Sequence, residues 1–483
     1  MADVVLVFPK SSFLEKAMKH VYLPLALLNS VVFVEKEYSV IIIDQRIDNH
    51  WKYKLLKELK KKPLCIGVTC LTGEQIEYAL EISKIVKEES DIPVVWGGAH
   101  ANILPEQTLQ HEYIDLVIQG EGEISFYELV KALDKKTPLK DVKGLWYKDK
   151  GVIKSNPPAN IVDLESLPRP PYHLLDMKNY ILKFGDKKMF ILETARGCPN
   201  RCTFCFVQNT PIQRRWRALS PQKTVENMIY VKEKFKVDGV EFQDLTSFVD
   251  LQRMKEIAEL MIREKVDLFW NTCGRVNDVL RMDSKYIDLM EKSNLKRFGV
   301  GVESGSERIL RMIKKGITIK QVLAVSKKLS KTKIEPIYSF MAGFPTETQR
   351  ELRMTSNLVI RLLKENPVAK TTIIHCYRPI PGNELFNVSV KHGLKPPTTL
   401  EEWSKYTMEW INHPWLSKKM QKEISALNFL SLFLDKKYEE VDDPLVRAFA
   451  QVYKPLAWYR VKNHNFNFMI EPYFKKIYVS LKK

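Results

Sequence analysis

Residues 193–210 read ETARGCPNRCTFCFVQNT and continue the buried-strand run KMFILET. Cys198, Cys202 and Cys205 give a C-x₃-C-x₂-C spacing. Three soft thiolates so close in sequence wrap one corner of an iron–sulfur cubane, and three ligands leave one iron open. An open position is the mark of a catalytic rather than a structural metal site. A zinc site would need a fourth Cys or His at ligand spacing, and the next cysteine is Cys273; a disulfide pair with a spare thiol is the other reading.

Working outward, the strand before the triad opens a repeat of strand-like and helix-like runs. Its strands are KMFILET, DGVEFQD, DLFWNTC, KRFGVGVES, EPIYSFMAGFP and TTIIHCYRP. Helices lie between them, one starting where Ser220 caps and Pro221 takes the first helical position. Six βα units predict a partial (βα)₆ TIM-type barrel over 187–388, with the triad in the loop after its first strand, at the face where barrels keep their chemistry. Other strand ends carry polar or small residues there: Asp244, Glu303 with Ser304, and Gly343 with Glu347. Each alone reads as a loop residue, a cap or a helix N-terminal charge; their recurrence on one face marks a site. Arg275, Arg217 and Arg378 are candidate anion clamps, or surface ion pairs.

The first 140 residues also alternate strands with amphipathic helices, in VVLVFP, YSVIIID, LCIGVTC, IPVVWGG and IDLVIQG. That pattern predicts an α/β, doubly wound parallel sheet of Rossmann-like type. Its strand ends read Thr69-Cys70-Leu71-Thr72-Gly73, Gly97-Gly98-Ala99-His100 and Gly120-Glu121-Gly122-Glu123. Small residues at those ends let a large flat ligand approach the backbone. No G-x-G-x-x-G follows the first strand, which disfavours a dinucleotide. Residues 141–186, with a hairpin around Asp149-Lys150-Gly151 and a Pro-rich stretch, read as a connector. Residues 389–483 read as a helical, aromatic C-terminal region.

Lys and Arg number 76 against 58 Asp and Glu, a formal charge of +18. No helix-turn-helix, RNP or zinc-finger pattern accompanies it, so nucleic acid is disfavoured, and a solvated basic surface, an anionic substrate and a membrane surface stay open. The tail VYKPLAWYRVKNHNFNFMIEPYFKKIYVSLKK mixes aromatic and basic residues as an interfacial segment or a packed helix would. Neither a signal peptide nor a membrane span is expected, and 7 cysteines without framework spacing fit a reducing cytoplasm.

The cysteine run, with Phe204 in the aromatic slot of C-x₃-C-x-aromatic-C, resembles the radical S-adenosylmethionine (SAM) superfamily. The wording GVTCLTG, WGGAHANILPEQTL and IQGEGE resembles the cobalamin-binding members of that family. The resemblance implies a [4Fe–4S] cluster on Cys198, Cys202 and Cys205, with SAM on the open iron as the source of a 5′-deoxyadenosyl radical. It implies Asp244 at the SAM amine, Glu303 at the ribose and the Gly343 strand at the adenine, although Leu245 stands where the family often has a second acid. It also implies cobalamin in the N-terminal domain on the Thr69–Gly73, Gly97–His100 and Gly120–Glu123 loops. The family's D-x-H-x-x-G is missing from FPKSSFLEK, so cobalt is expected without a histidine, His20 and His100 being the alternatives. The activity implied is methylation of an unactivated carbon, with methyl carried by cobalamin from one SAM and the radical made from a second. A cyclase of the anaerobic magnesium-protoporphyrin monomethyl ester type is the alternative, and a corrinoid-binding sensor the non-enzyme one. A methylthiotransferase is disfavoured, since Cys65 and Cys70 are the only N-terminal cysteines. The expected partners are a lipid, polyketide, tetrapyrrole or nucleotide-linked sugar substrate and an electron donor such as flavodoxin or ferredoxin.

Overall fold

The computed structural model describes all residues except 1–2, 11–20, 212–213, 408–409, 438–442 and 467–483. Most of FPKSSFLEK, His20 and the end of the basic aromatic tail therefore lie outside the described residues.

β1 (Val4–Phe8), β2 (Val40–Asp44), β3 (Cys65–Thr69), β4 (Val94–Gly97) and β5 (Leu116–Ile118) run parallel in the order β2-β1-β3-β4-β5. Side chains alternate faces along a strand, and both faces are covered. Val5 and Val7 of β1 enter one core cluster with Trp96, whereas Val4 and Leu6 enter another with Phe126. This is the doubly wound order the sequence predicts. The hairpin read as part of the connector instead extends the sheet: β6 (Leu145–Asp149) pairs antiparallel with β5, and β7 (Val152–Ser155) with β6. Lys150 and Gly151 take φ of 50° and 81°, the conformation of a tight two-residue hairpin turn. Pairing there covers what would be an open edge on β5.

The second sheet starts with β8 (Leu182–Phe184), antiparallel to β9 (Lys187–Leu192). Just past β9 the chain forms a short ribbon, β10 (Ala195–Arg196) against β11 (Arg217–Ala218), which brackets the cysteine loop. β12 (Gly239–Phe242), β13 (Phe269–Arg275), β14 (Leu295–Glu303) and β15 (Glu335–Ala342) then follow β9 in chain order, all parallel. The sixth position is split into β16 (Lys370–Thr371) and β17 (His375–Cys376), both on β15. Six βα units therefore stand as predicted. Ser220 accepts from the Lys223 amide with Pro221 behind it, and Thr318 with Gln321 and Thr348 with Glu351 close capping boxes, each satisfying amides that a helix start leaves free.

The C-terminal region packs on both sheets. Trp403, on the helix Leu400–Ser404, is 1% exposed and joins the core cluster of the first domain. The helix Lys418–Leu430 buries Met420, Ile424 and Leu427 against the barrel. The helix Pro444–Lys462 buries Tyr453, Ala457 and Val461 there and exposes Leu445, Val452 and Tyr459 outward. No described helix is long and apolar enough to cross a membrane.

Candidate active site

The cysteine loop leaves the ribbon through Gly197, whose φ is +83° and whose absent Cβ would meet the Arg215 carbonyl at 2.0 Å; no side chain fits there. Cys198, Cys202 and Cys205 are all free thiols. Asn200 Nδ2 donates to Cys198 Sγ at 3.3 Å, and Arg275 Nη1 to Cys202 Sγ at 3.2 Å. The Thr203 amide donates to Ile313 O at 3.0 Å and its carbonyl accepts from the Leu385 amide at 3.2 Å, so the loop is pinned between two helices. Burial pushes the Cys205 thiol up to about 11, against the Val207 amide, with Cys198 and Cys202 raising it further. A buried thiol that resists ionisation alone, as Cys205 does, is what a cationic iron core stabilises as a thiolate. Among the described residues no three His, Cys, Asp or Glu side chains converge to hold one metal ion. A cubane does not require that, since each thiolate binds a different iron. The donors fit a [4Fe–4S] cluster. Phe204 packs edge-to-face on Phe344 with ring centroids 6.4 Å apart, tying the loop to the end of β15.

Several expected SAM contacts are occupied by the protein itself. Asp244 Oδ1 accepts from the Thr194 and Ala195 amides, both at 2.8 Å, and Oδ2 from the Thr194 and Ser247 hydroxyls at 2.7 and 3.0 Å. Its carboxylate braces the start of the cluster loop and offers nothing outward. Burial raises its pKa against those same hydrogen bonds. Arg275 directs its guanidinium to Cys202 and the Lys315 carbonyl. Ser304 is fully buried and accepts from the Ser306 amide at 3.1 Å, a cap rather than a contact. Glu303, at φ 73°, pairs with Lys315 Nζ at 2.6 Å. Arg275, Lys315 and Glu303 thus form a continuous brace from Cys202 to the end of β14. Lys315 carries no signal in a single sequence, since its partners lie far along the chain.

Gly343 takes φ +82°. Its amide donates to Glu347 Oε2 at 2.6 Å and its carbonyl accepts from Trp415 Nε1 at 3.0 Å. Glu347 is buried with Oε1 unpartnered, and burial lifts its pKa to about 8 against the Gly343 and Phe344 amides. Beside it Cys376 Sγ lies 3.2 Å from His413 Nε2. The C-terminal region, not only the barrel, therefore builds this corner.

At the first sheet the three loops are stitched together. The Cys70 amide donates to Gly97 O and the His100 amide to Cys70 O, both at 3.0 Å, while Asn102 bridges Gly98 and Gly120. A Cβ on Gly97 or Gly120 would meet nothing within 4 Å, and Leu71 beside them is 51% exposed. That open apolar shelf at three strand ends fits a flat corrin. The other glycines serve the fold: a Cβ on Gly98 would strike Thr69 Oγ1 at 2.7 Å and Cys70 N at 2.8 Å, on Gly73 the Tyr406 carbonyl at 2.8 Å, and on Gly122 the Ser30 Cβ at 3.2 Å. Ala99 begins the short helix Ala99–Ile103. His100 is buried, its Nδ1 3.0 Å from Thr72 Oγ1, and burial lowers its pKa to about 4. Glu121 and Glu123 do not face the shelf: their carboxylates pair with Arg196. Arg217 pairs with Glu121 as well, which removes it as an anion clamp. Arg378 alone of the three arginines makes no hydrogen bond or ion pair with any described residue. Burial lowers its pKa with no carboxylate opposing, and its Nη1 would lie 3.7 Å from a Cβ on Gly73. It stands where barrel, first domain and C-terminal region meet.

The sequence profile of the Radical SAM superfamily matches residues 192–359, and that of the B12 binding domain residues 21–130. An uncharacterized methyltransferase of Pyrococcus horikoshii is 32% identical over 412 residues, 84% of this chain and 86% of that one. The anaerobic magnesium-protoporphyrin IX monomethyl ester cyclase of Rubrivivax gelatinosus is 29% identical over 302 residues, and the match spans only 53% of it. Among solved structures, the cobalamin-dependent SAM radical enzyme OxsB, with aqua-cobalamin and SAM bound, superposes with a TM-score of 0.75 at 19% identity, covering 96% of this chain and 72% of that one.

Proposed function

The chain belongs to the cobalamin-binding radical SAM family, and on that premise we propose that it is a methyltransferase acting on an unactivated carbon of an organic anion. The observation that carries this reading is one chain holding both an open shelf at Leu71, Gly97 and Gly120 and a three-cysteine loop at the carboxyl face of a barrel. When bound, the cluster and SAM supply a 5′-deoxyadenosyl radical, and cobalamin supplies a carrier for the methyl group.

The chain's own residues position these parts. Cys198, Cys202 and Cys205 would hold the iron, and Arg275 fixes Cys202 against Lys315. Gly343, held by Glu347 and Trp415, fixes the chain that leaves β15 beside Phe344 and the cysteine loop. Arg378 supplies a guanidinium that has no hydrogen-bond or ion-pair partner among the described residues, where the three regions meet. A part-buried cation of that kind favours a ligand that brings the opposite charge, which supports a substrate with a carboxylate or phosphate near its reacting carbon. This narrows the lipid, polyketide, tetrapyrrole and sugar classes to their anionic members. An external one-electron donor of the flavodoxin or ferredoxin type feeds the cluster in the reducing cytoplasm, and the outward Leu445, Val452 and Tyr459 support contact with a membrane surface where the substrate is lipidic.

The test is stoichiometry with methyl-labelled SAM under anaerobic conditions. One S-adenosylhomocysteine and one 5′-deoxyadenosine should form per methyl incorporated, and omitting cobalamin should abolish methylation. The relative from Rubrivivax gelatinosus favours a cyclase as the second reading. A product of unchanged carbon count, with 5′-deoxyadenosine but no S-adenosylhomocysteine, would establish that reading and reject methyl transfer.

A further inference from the structure

The loops of the two cofactor sites are joined by a buried ion network. Arg196 lies two residues before Cys198, on the ribbon that brackets the cysteine loop, and Arg217 is its cross-strand partner. Arg196 Nη1 reaches Glu121 Oε1 at 3.0 Å and Glu123 Oε1 at 2.6 Å, and its Nε reaches Glu193 Oε2 at 2.8 Å. Arg217 grips Glu121 bidentately, Nη1 to Oε2 at 2.9 Å and Nη2 to Oε1 at 2.8 Å. The Val162 amide of the connector adds a donor to Glu121 at 2.9 Å, and Asn29 Nδ2 one to Glu193 at 3.0 Å. Side-chain exposures are 4% for Glu121, 3% for Glu123, 12% for Arg196 and 19% for Arg217. Burial would raise the pKa of Glu121, but the Arg217 hydrogen bonds and the Arg196 charge outweigh it and hold it below the usual carboxylate range.

We propose that Glu121, Glu123, Glu193, Arg196 and Arg217 are positioning residues that fix the cobalamin shelf against the cluster loop, keeping radical formation and methyl transfer in register. Glu121 and Glu123 lie within three residues after Gly120 of the shelf, and Arg196 lies two residues before Cys198. Fork-shaped, charge-assisted pairs are directional as well as strong. A hydrophobic contact at the same place would tolerate sliding; this one does not. The inference rests on the two-cofactor reading above.

The test uses the holoenzyme reconstituted with cluster and cobalamin and needs no substrate. Pulsed dipolar EPR between the reduced cluster and cob(II)alamin should give one narrow distance in the wild type. In Glu121→Gln/Glu123→Gln the distribution should broaden or split, with iron and cobalamin content per protein unchanged. With SAM and a low-potential one-electron reductant but no substrate, the ratio of S-adenosylhomocysteine to 5′-deoxyadenosine should fall about tenfold. Arg196→Lys, which keeps the charge and loses the fork, should fall between, and it reads the same question if the double variant does not fold. Unchanged distance and ratio at full cofactor loading would overturn the latch alone. A wild-type protein that takes up no cobalamin would overturn the two-cofactor reading, and the latch with it.

Discussion

The carboxyl ends of the two sheets solve opposite problems. At the first sheet the ends of β3, β4 and β5 leave space: Gly97 and Gly120 have nothing within 4 Å of a Cβ, and Leu71 faces outward. At the barrel, Asp244, Arg275, Ser304 and Glu303 leave almost none, since each is engaged by another part of the scaffold. An absent side chain has one structural meaning, room. A charged side chain at a strand end has two, ligand or brace, and only its distant partners decide between them.

The sharpest way to break the contrast is to remove what the barrel does reserve for a ligand. Replacing Cys198, Cys202 and Cys205 together by Ala should abolish iron binding and 5′-deoxyadenosine formation, measured by metal analysis and chromatography, while cobalamin uptake persists. Filling the shelf is the mirror experiment. Gly97→Leu should eliminate cobalamin absorbance per protein with little change in Tm, because Gly97 has open space and no positive φ.

Glu347 tests whether a group near Gly343 sits in a true interior. Its pKa, raised by burial to about 8 from 4.5, means that the folded state holds a proton the unfolded state releases. Its contribution is intact below pH 4.5 and is lost progressively as pH rises through about 8, on the order of 5 kcal/mol in all. The Tm of the apo protein should therefore fall over that window, and Glu347→Gln should flatten the slope; equal slopes in both would mean the carboxyl is ionised in the folded state.

Two smaller effects separate brace from ligand. Gly98→Ala should lower stability by about 1–3 kcal/mol through its clash with Cys70 and its φ of +89°, even before cobalamin is added. Asp244→Asn should also cost about 1–3 kcal/mol, since an amide cannot accept all four hydrogen bonds, while SAM affinity stays within about twofold. A large loss of SAM affinity at unchanged Tm would return Asp244 to the ligand.

The βα repeats, both sheets and the triad were legible in the sequence because their signals are local: short apolar runs alternating with amphipathic helices, Ser220-Pro221 at a helix start, three thiols in eight residues. The tight turn at Lys150-Gly151 was legible too, but not that its strands extend the sheet from β5, since that depends on an edge far from the turn. The two-residue ribbon β10–β11 is too short to show a period. Glu121, Glu123 and Arg217 read as ligand contacts because the pairs they form, with Arg196 and with one another, span up to 96 residues of chain. Arg196 sits in full view inside the motif, yet nothing near it in sequence names its partners on the other domain.

Trp403 bears on how this protein can be taken apart. Its indole donates to Gln107 Oε1 at 2.7 Å, the neighbouring Glu401 meets His111, and the ring is buried among residues of the first domain. A fragment ending near residue 135 would lack that cover as well as β6 and β7, and would uncover the His100 ring, whose centroid lies 6.0 Å from that of Trp403. The first domain is thus completed by chain that follows the whole barrel in sequence. A graft that moves it between relatives has to carry residues 384–406 along, or exchange them for the recipient's own.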